Sequence, residues 1–577
     1  MRFVSVVPAI RTIPGVESFD YSISPEGTLE IGDLIRVPFR NRQIPAIVVG
    51  FSDSSQYAAK AKNLEDPQIL LRLGPAVVDL LERTSRRTFS SHPSVLLAWL
   101  REVPKRFKLP PARASNADQL GISFAKKETR YLADILHAQD GLVPTASSCN
   151  GRTLILSAWK NPATSLAAEL GCPVLHSDIP AGAAWKILVD FVTSDAHQLV
   201  TTKLGAWLAC FADTVLIEEP ENDDHKQDEL APRIDARWLV AECAKIRPNL
   251  SVIGFSLTPG LDVDTPSLPA LTPETIFETF SRSGRSSFDG LTASTMNRVE
   301  EALVEKRPVT IIHPVRGERA RFSCSNCGWT ATCPACGYQL GQYGSSGLCR
   351  KCGRKSPLPL DCPQCGGTDF SRGRPGLDRL VEQISKMESG STISIINLTQ
   401  AQENRFPQTS LVVINDAALL AGAVEDIRRR ERLVVAWRRL AAKAQIAGAT
   451  LVVQAKDEVL ALCQRTMSSE GLEEERKLEK NERRLFNFPP ASRLVKMLVD
   501  GDEHNAAALF KHLTEAFPQD WNISGPFPVP YRSSTRTPRS IIQVTLPLSV
   551  SEQDLYAAFD PYKLDAYIDL DPIAFFC

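Results

Sequence analysis

Four Cys-x2-Cys-Gly units crowd residues 324–365: Cys324/Cys327, Cys333/Cys336, Cys349/Cys352 and Cys362/Cys365. A CxxC knuckle curls its backbone so that N–H groups face the thiolates. The glycines that follow (Gly328, Gly337, Gly353, Gly366) suit the φ > 0 positions of that curl. Four thiolates close one tetrahedral zinc site, so the spacing predicts two structural Zn2+ ions per chain. Only five residues separate the first two pairs, whereas ribbon knuckles stand ~15–20 apart. A nested pairing is expected, with Cys324, Cys327, Cys362 and Cys365 on one ion and Cys333, Cys336, Cys349 and Cys352 on the other. These are eight of the chain's 14 cysteines, and such clustering in a reducing compartment signals metal rather than disulfides. Around them Arg321, Arg350, Lys351, Arg354, Lys355, Arg372, Arg374 and Arg379 face three acids, with Trp329 and Tyr338 among them. That composition suits DNA contact; a solvated or protein-docking surface is the alternative.

The rest of the 577 residues is organised around this insert. At roughly 100–200 residues per domain, three to five domains are expected. Lys and Arg number 66 against 67 acids, so any nucleic-acid surface must be local. No apolar run reaches the ~18 residues of a membrane span, and MRFVSVVPAI lacks a cleavage-site pattern. A cytoplasmic protein without a membrane partner is expected.

Residues 1–104 read as mostly β, from runs such as LIRVPF and AIVVGF, then helical at 77–84 and 95–100. A basic, proline-containing linker follows at 103–119. From 120 to 290, strand-like runs (152–159, 197–202, 213–219, 250–256) alternate with helical ones (PATSLAAEL, ARWLVAECAKI). Such alternation implies a parallel sheet in an α/β lobe. A second α/β lobe is predicted over 291–320 and 376–460, with the cysteine module (321–375) inserted, and a C-terminal α+β domain over 461–577. The fold class is therefore multidomain α/β with a mostly-β N-terminal domain.

The cysteine pattern, ESFDYSISPEG with IGDLIRVPF near the start, and ERRLFNFPPASRL, ISGPFPVP and IDLDPI in the tail together resemble the primosomal protein N′ (PriA) family of replication-restart proteins. The resemblance implies an N-terminal domain that binds the 3′ end of a nascent DNA strand, two RecA-like helicase lobes, and a C-terminal domain. It implies forked and single-stranded DNA, single-strand-binding protein, and primosome or helicase-loading proteins as partners. It carries 3′-end binding onto Phe19, Asp20 and Tyr21, with Lys62 as a further pocket residue. Arg40 stands where the family has a glycine. From the residues alone, Phe19 and Tyr21 alternate into a β core while Asp20 points outward.

Three helicase parts depart from the family. A phosphate loop needs glycines that let backbone N–H groups wrap the phosphates and a lysine beside them; no Gly-Lys pair occurs in the chain. Aligning GISFAKKETRYLADIL with that loop puts Lys127 near its lysine. The acidic motif reads Glu218-Glu219-Pro220-Glu221, with Glu221 in place of the family's histidine, followed by RIDAR and SLTP (256–259). Lys443 and Ile446 stand at the arginine positions of the last motif. The chain thus resembles the family form with degenerate helicase motifs and no room at 105–120 for a winged-helix domain. No ATPase and no catalytic residue is expected. An active 3′–5′ helicase with divergent motifs and a zinc-dependent protein-interaction module are the alternatives. RRRERLVVAWRRLAAK (428–443) is expected as a solvated basic helix that could instead follow DNA phosphates. The loop YRSSTRTPRS (531–540) is a candidate DNA or single-strand-binding-protein contact.

Overall fold

The fold is that of a computed structural model. It describes the chain outside residues 1, 14, 25–27, 41, 60, 66, 101–128, 133–140, 194–195, 229–230, 264–267, 269, 280–290, 314–321, 325, 328, 335–339, 344–345, 350–353, 372–392, 404–405, 407, 422–426, 502, 530–538 and 574–577. Two compact units emerge. The first comprises Met1–Thr265, Leu494–Met497 and Leu546–Ile573; the second holds the remaining stretches, beginning at Pro266.

In the first unit, six strands form the N-terminal sheet: β1 (Arg2–Pro8), β2 (Phe19–Ile23), β3 (Asp33–Phe39), β4 (Arg42–Ser52), β5 (Asn63–Leu64) and β6 (Ile69–Arg72), in the order β5-β2-β1-β4-β3-β6. Both faces are covered. The neighbours Leu34 and Ile35, and Ile47 and Val48, are all fully buried. Val4, Val6, Tyr21, Ile35 and Val48 pack on one side. Leu34, Ile47 and Val7 pack on the other, against helices Pro75–Thr88 and His92–Leu100. The first helix starts on Gly74 with proline in its first turn and ends in Arg86 and Arg87, as φ pre-organisation and the helix dipole favour.

Six parallel strands follow: β7 (Thr129–Leu132), β8 (Thr153–Leu156), β9 (Val174–Leu175), β10 (Gln198–Thr201), β11 (Thr214–Glu218) and β12 (Ser251–Phe255), ordered β7-β12-β11-β8-β10-β9. Parallel strands covered on both faces read as continuous apolar runs, and all four residues of β8 are buried. Leu154, Leu156, Val215 and Ile217 join the core that holds Leu34, Ile47 and Trp99. Trp99 stacks on Trp207 at 5.6 Å. The N-terminal sheet and this α/β layer therefore share one core.

In the second unit, β13 (Thr275–Thr279) and β14 (Val309–His313) belong to a second parallel sheet, so that sheet begins before residue 290. The cysteine module adds the short strands β15 (Ser323–Cys324), β16 (Leu340–Tyr343), β17 (Ser346–Cys349), β18 (Lys355–Pro357) and β19 (Phe370–Ser371). Then β20 (Ile393–Asn397), β21 (Leu411–Ile414) and β22 (Thr450–Ala455) complete the order β13-β22-β21-β14-β20. Helix Arg429–Ala447 lies over this sheet with Trp437 and Leu440 fully buried. Its arginines 438 and 439 are also buried, so this stretch is not the solvated face its composition suggests. Arg438 donates to the Thr466 carbonyl, and burial pushes its guanidinium down to about 10. Arg430 pairs with Glu475, and Arg483 bridges Glu431 and Glu479 at 2.9 Å each. The C-terminal sheet is ordered β24-β25-β23-β26, from β23 (Arg493–Asp500), β24 (Asn522–Pro528), β25 (Arg539–Leu546) and β26 (Tyr567–Leu570). Among the described residues no helix is long and apolar enough to cross a membrane.

Candidate functional site

Cys324, Cys327, Cys362 and Cys365 bring their sulfurs within 4.8 Å of one another. The Cys324–Cys365 and Cys327–Cys362 sulfurs are 3.6 Å apart. Sulfurs ~2.3 Å from a shared tetrahedral centre lie about 3.8 Å apart, while a disulfide requires about 2.05 Å. The quartet therefore fits a metal. The two knuckles meet because β15 pairs with β19, Cys324 opposite Phe370. Gly366 takes φ 69°, and the Cys327 backbone N–H, then that of Asn326, brings the Cys324 thiol down to about 7. Of the second predicted quartet, Cys333 and Cys349 are buried beside Phe322 and Leu340. Cys336 and Cys352 lie outside the described residues, as do Tyr338, Arg321, Arg350, Lys351, Arg372, Arg374 and Arg379.

In the N-terminal domain, β2 carries Phe19, Asp20 and Tyr21, and strand alternation separates them. Phe19 and Tyr21 face one core. Phe19 meets Phe39 edge-on at 5.3 Å, and the Arg40 guanidinium lies 5.8 Å over Phe39. Tyr21 donates its hydroxyl to the Pro38 carbonyl at 3.0 Å, and burial raises its pKa. Asp20 points to the opposite face. Ser5 donates to its Oδ1 and Ser55 to its Oδ2, each at 2.6 Å. Lys62 is exposed, and its carbonyl accepts the Ser22 N–H at 3.0 Å, placing it beside β2. Arg40 has φ 50°, a left-handed conformation that glycine adopts at less cost.

Ligands of open parallel sheets bind at the C-terminal strand ends. Here that edge gathers Ser157, Glu218, Glu219 and Ser256. Ser157 donates to Glu218, and Asn222 donates to Glu219 at 3.1 Å. Glu219 sits at φ 49°. His225, four residues beyond Glu221, is fully buried and donates from Nε2 to the Glu218 carbonyl at 2.8 Å. Burial, then nearby Arg237, pulls its pKa down to about 4, so the ring is neutral. The RIDAR segment is structural. Burial alone would raise the Asp235 carboxyl, but Arg237 holds it well below the usual range. Arg237 also donates to the Pro220 carbonyl at 2.9 Å, tying this loop to the acidic motif.

Lys127, which the alignment sets near a phosphate-loop lysine, lies outside the described residues. Described structure resumes after it with β7 (Thr129–Leu132) and, beyond residues 133–140, with the helix Leu142–Ser148. Lys443 donates to the carbonyls of Ala401 and Gln402, and Ile446 is exposed. In the 531–540 loop, Arg539 pairs with Asp500 at 2.6 Å; Arg532 and Arg536 lie outside the described residues.

Sequence reasoning missed Lys226. Its ammonium is buried and donates to Asp569 Oδ1 (2.7 Å) and to the carbonyls of Leu570 (2.7 Å) and Asp571 (2.8 Å). Arg87 pairs with Asp571, and Arg233 stands 4.0 Å from Asp569. The IDLDPI element is thus clamped beside the acidic motif. No local signal could have revealed it, because the partners are 343 residues apart.

The model of the 3′ DNA-binding domain of PriA matches residues 10–101, and that of the primosomal protein N C-terminal domain matches 484–572. The replication restart protein PriA of Haemophilus influenzae is 24% identical over 276 residues, covering 40% of this chain and 37% of that protein. The protein of the same name from Thermotoga maritima is 32% identical over 94 residues, 16% of this chain and 13% of its own length. That from Chlamydia muridarum is 27% identical over 175 residues, 27% and 23% of the two chains. The matched stretches thus span little more than a third of these relatives at most. Two domain matches at opposite ends of one chain, with relatives that share one name, support its similarity to the primosomal protein N′ (PriA) family.

Proposed function

We propose that the chain is a DNA-binding scaffold for replication restart that engages the 3′ end of a nascent strand at an abandoned fork and helps reload the replicative helicase, without hydrolysing ATP. The observation that carries this reading is a 3′ DNA-binding domain match at 10–101 in a chain whose sequence holds no Gly-Lys pair for a phosphate loop. The two parallel-sheet lobes are then degenerate RecA-like helicase lobes kept as a frame. Support comes from the acids at the end of β11 and from Lys443, which is bonded to backbone carbonyls.

Asp20 is the proposed acceptor for the terminal 3′-hydroxyl. Phe19, Tyr21 and Lys62 shape the surrounding strand edge. Two structural zinc ions, single-strand-binding protein and helicase-loading proteins complete the reading. The quartet of thiols supports the first ion.

The test pairs two assays on one preparation. ATP hydrolysis with and without forked DNA should stay at background. Titration at fixed salt should show tighter binding to a fork with a nascent 3′ end than to blunt duplex. DNA-stimulated hydrolysis abolished by Glu218→Gln would overturn the proposal in favour of an active helicase. Equal affinity for fork and duplex, unchanged by Asp20→Ala, would favour a zinc-dependent protein-interaction module.

A further inference from the structure

Asp20 is held by two hydroxyl groups from different parts of the N-terminal domain. Ser5 lies directly opposite it in the antiparallel β1/β2 ladder and donates to Oδ1 at 2.6 Å. Ser55, in the loop after β4, donates to Oδ2 at 2.6 Å. Ser55 is itself oriented: the Tyr57 backbone N–H donates to its oxygen at 3.0 Å, which leaves the hydroxyl hydrogen for Asp20. The β1/β4 register shifts between Ser5 and Val6, and such a bulge re-aims the side chains beside it. Gly50 stands opposite Ser5 on β4, and a Cβ there would meet nothing within 4 Å. The face that carries Ser5 and Asp20 is open on that side.

An ionised carboxylate has about four acceptor positions. The two serines take one on each oxygen and fix the plane of the group. Among the described residues one position per oxygen remains, and each can only accept.

We infer that Ser5 and Ser55 are positioning residues for Asp20, presetting its carboxylate to accept one incoming hydroxyl donor from the ligand. This rests on reading Asp20 as the contact for a DNA 3′ end. The serines contribute through orientation: without them the carboxylate rotates freely and must be ordered by the ligand, at a cost in affinity. The effect is confined to ends that carry the donor.

The experiment uses the full chain and primed forks that end in a 3′-hydroxyl or in a 3′-deoxy terminus, compared by fluorescence anisotropy. The wild-type chain should prefer the hydroxyl end. Ser5→Ala/Ser55→Ala should cut that preference at least fivefold while leaving affinity for the 3′-deoxy fork unchanged. Ser5→Thr, which keeps the hydroxyl, should retain it. A merely structural role would weaken both ends alike. If the double variant keeps the full preference while Asp20→Asn abolishes it, the inference is overturned and the role of Asp20 stands. If the wild-type chain shows no preference, the inference and the role of Asp20 fall together.

Discussion

Lys226→Met should loosen the C-terminal strand β26 within the first unit and cost the protein about 3–5 kcal/mol. All three ammonium hydrogens of Lys226 are spent, on Asp569 Oδ1 and on the carbonyls of Leu570 and Asp571. Both charged side chains are 2% exposed. Removing one partner of a buried pair strands the other charge, which typically costs ~3–5 kcal/mol, and each orphaned carbonyl adds ~1 kcal/mol or more. Arg233, 4.0 Å from Asp569, offsets part of this, so the total stays in that range. Lys226→Met/Asp569→Leu removes both charges and fills the space with apolar atoms, so it should recover most of the loss. Urea denaturation of the four chains of this cycle gives the coupling, and hydrogen exchange should show β26 opening first in the single variant. A single-variant loss below ~1 kcal/mol, or a coupling below ~0.5 kcal/mol, would refute the reasoning, since a water-exposed pair contributes no more than that.

Cys362→Ser should lower the bound metal by one ion per chain in elemental analysis and reduce Tm; unchanged metal content would refute the quartet drawn from the 3.6 Å sulfur contacts. His225 titrates at about 4 when folded and near its ordinary ~6.5 when unfolded. The unfolded chain therefore takes up the proton first. The contribution is complete above pH 6.5 and is lost as pH falls toward 4, by about 3 kcal/mol; His225→Gln should flatten that part of the stability curve in acid denaturation. Tyr21→Phe removes the bond to the Pro38 carbonyl and should cost ~1 kcal/mol in the same denaturation assay, with no change in 3′-end preference.

How much of this was legible depended on the range of the interaction involved. Strands β8, β11, β21 and β22 announce themselves because a strand buried on both faces must be apolar throughout, and helix Ala236–Ile246 coincides with ARWLVAECAKI. The cysteine quartet was legible because knuckle geometry is local. For Phe19-Asp20-Tyr21, strand alternation was visible in the sequence, but the serines that hold Asp20 come from residues 15 and 35 positions away. Lys226 looked like one more charge in a polar loop, since its partners lie at the far end of the chain. The arginines of helix Arg429–Ala447 misled for a related reason. Composition suggested a wet face, whereas Arg438 is buried with its charge directed at a backbone carbonyl.

The acidic edge gains its meaning from how its polar groups are occupied. A site that binds a nucleotide needs groups whose hydrogen bonds the ligand completes. Around β11, Ser157 occupies Glu218 and Asn222 occupies Glu219. Arg237 is divided between Asp235 and the Pro220 carbonyl, and Lys226 is consumed by the C-terminal strand. In the other sheet, Lys443 holds the carbonyls of Ala401 and Gln402. Recruiting any of these cations to a phosphate means first breaking charge-assisted bonds of ~1.5–3 kcal/mol each. The same bonds tie the strand ends to their loops. This supports the proposal that the lobes serve as a frame. On that proposal, polar residues at the strand ends take internal partners while the apolar strands beneath them stay fixed by packing, and each such partner makes the frame stiffer and the binding of a ligand costlier.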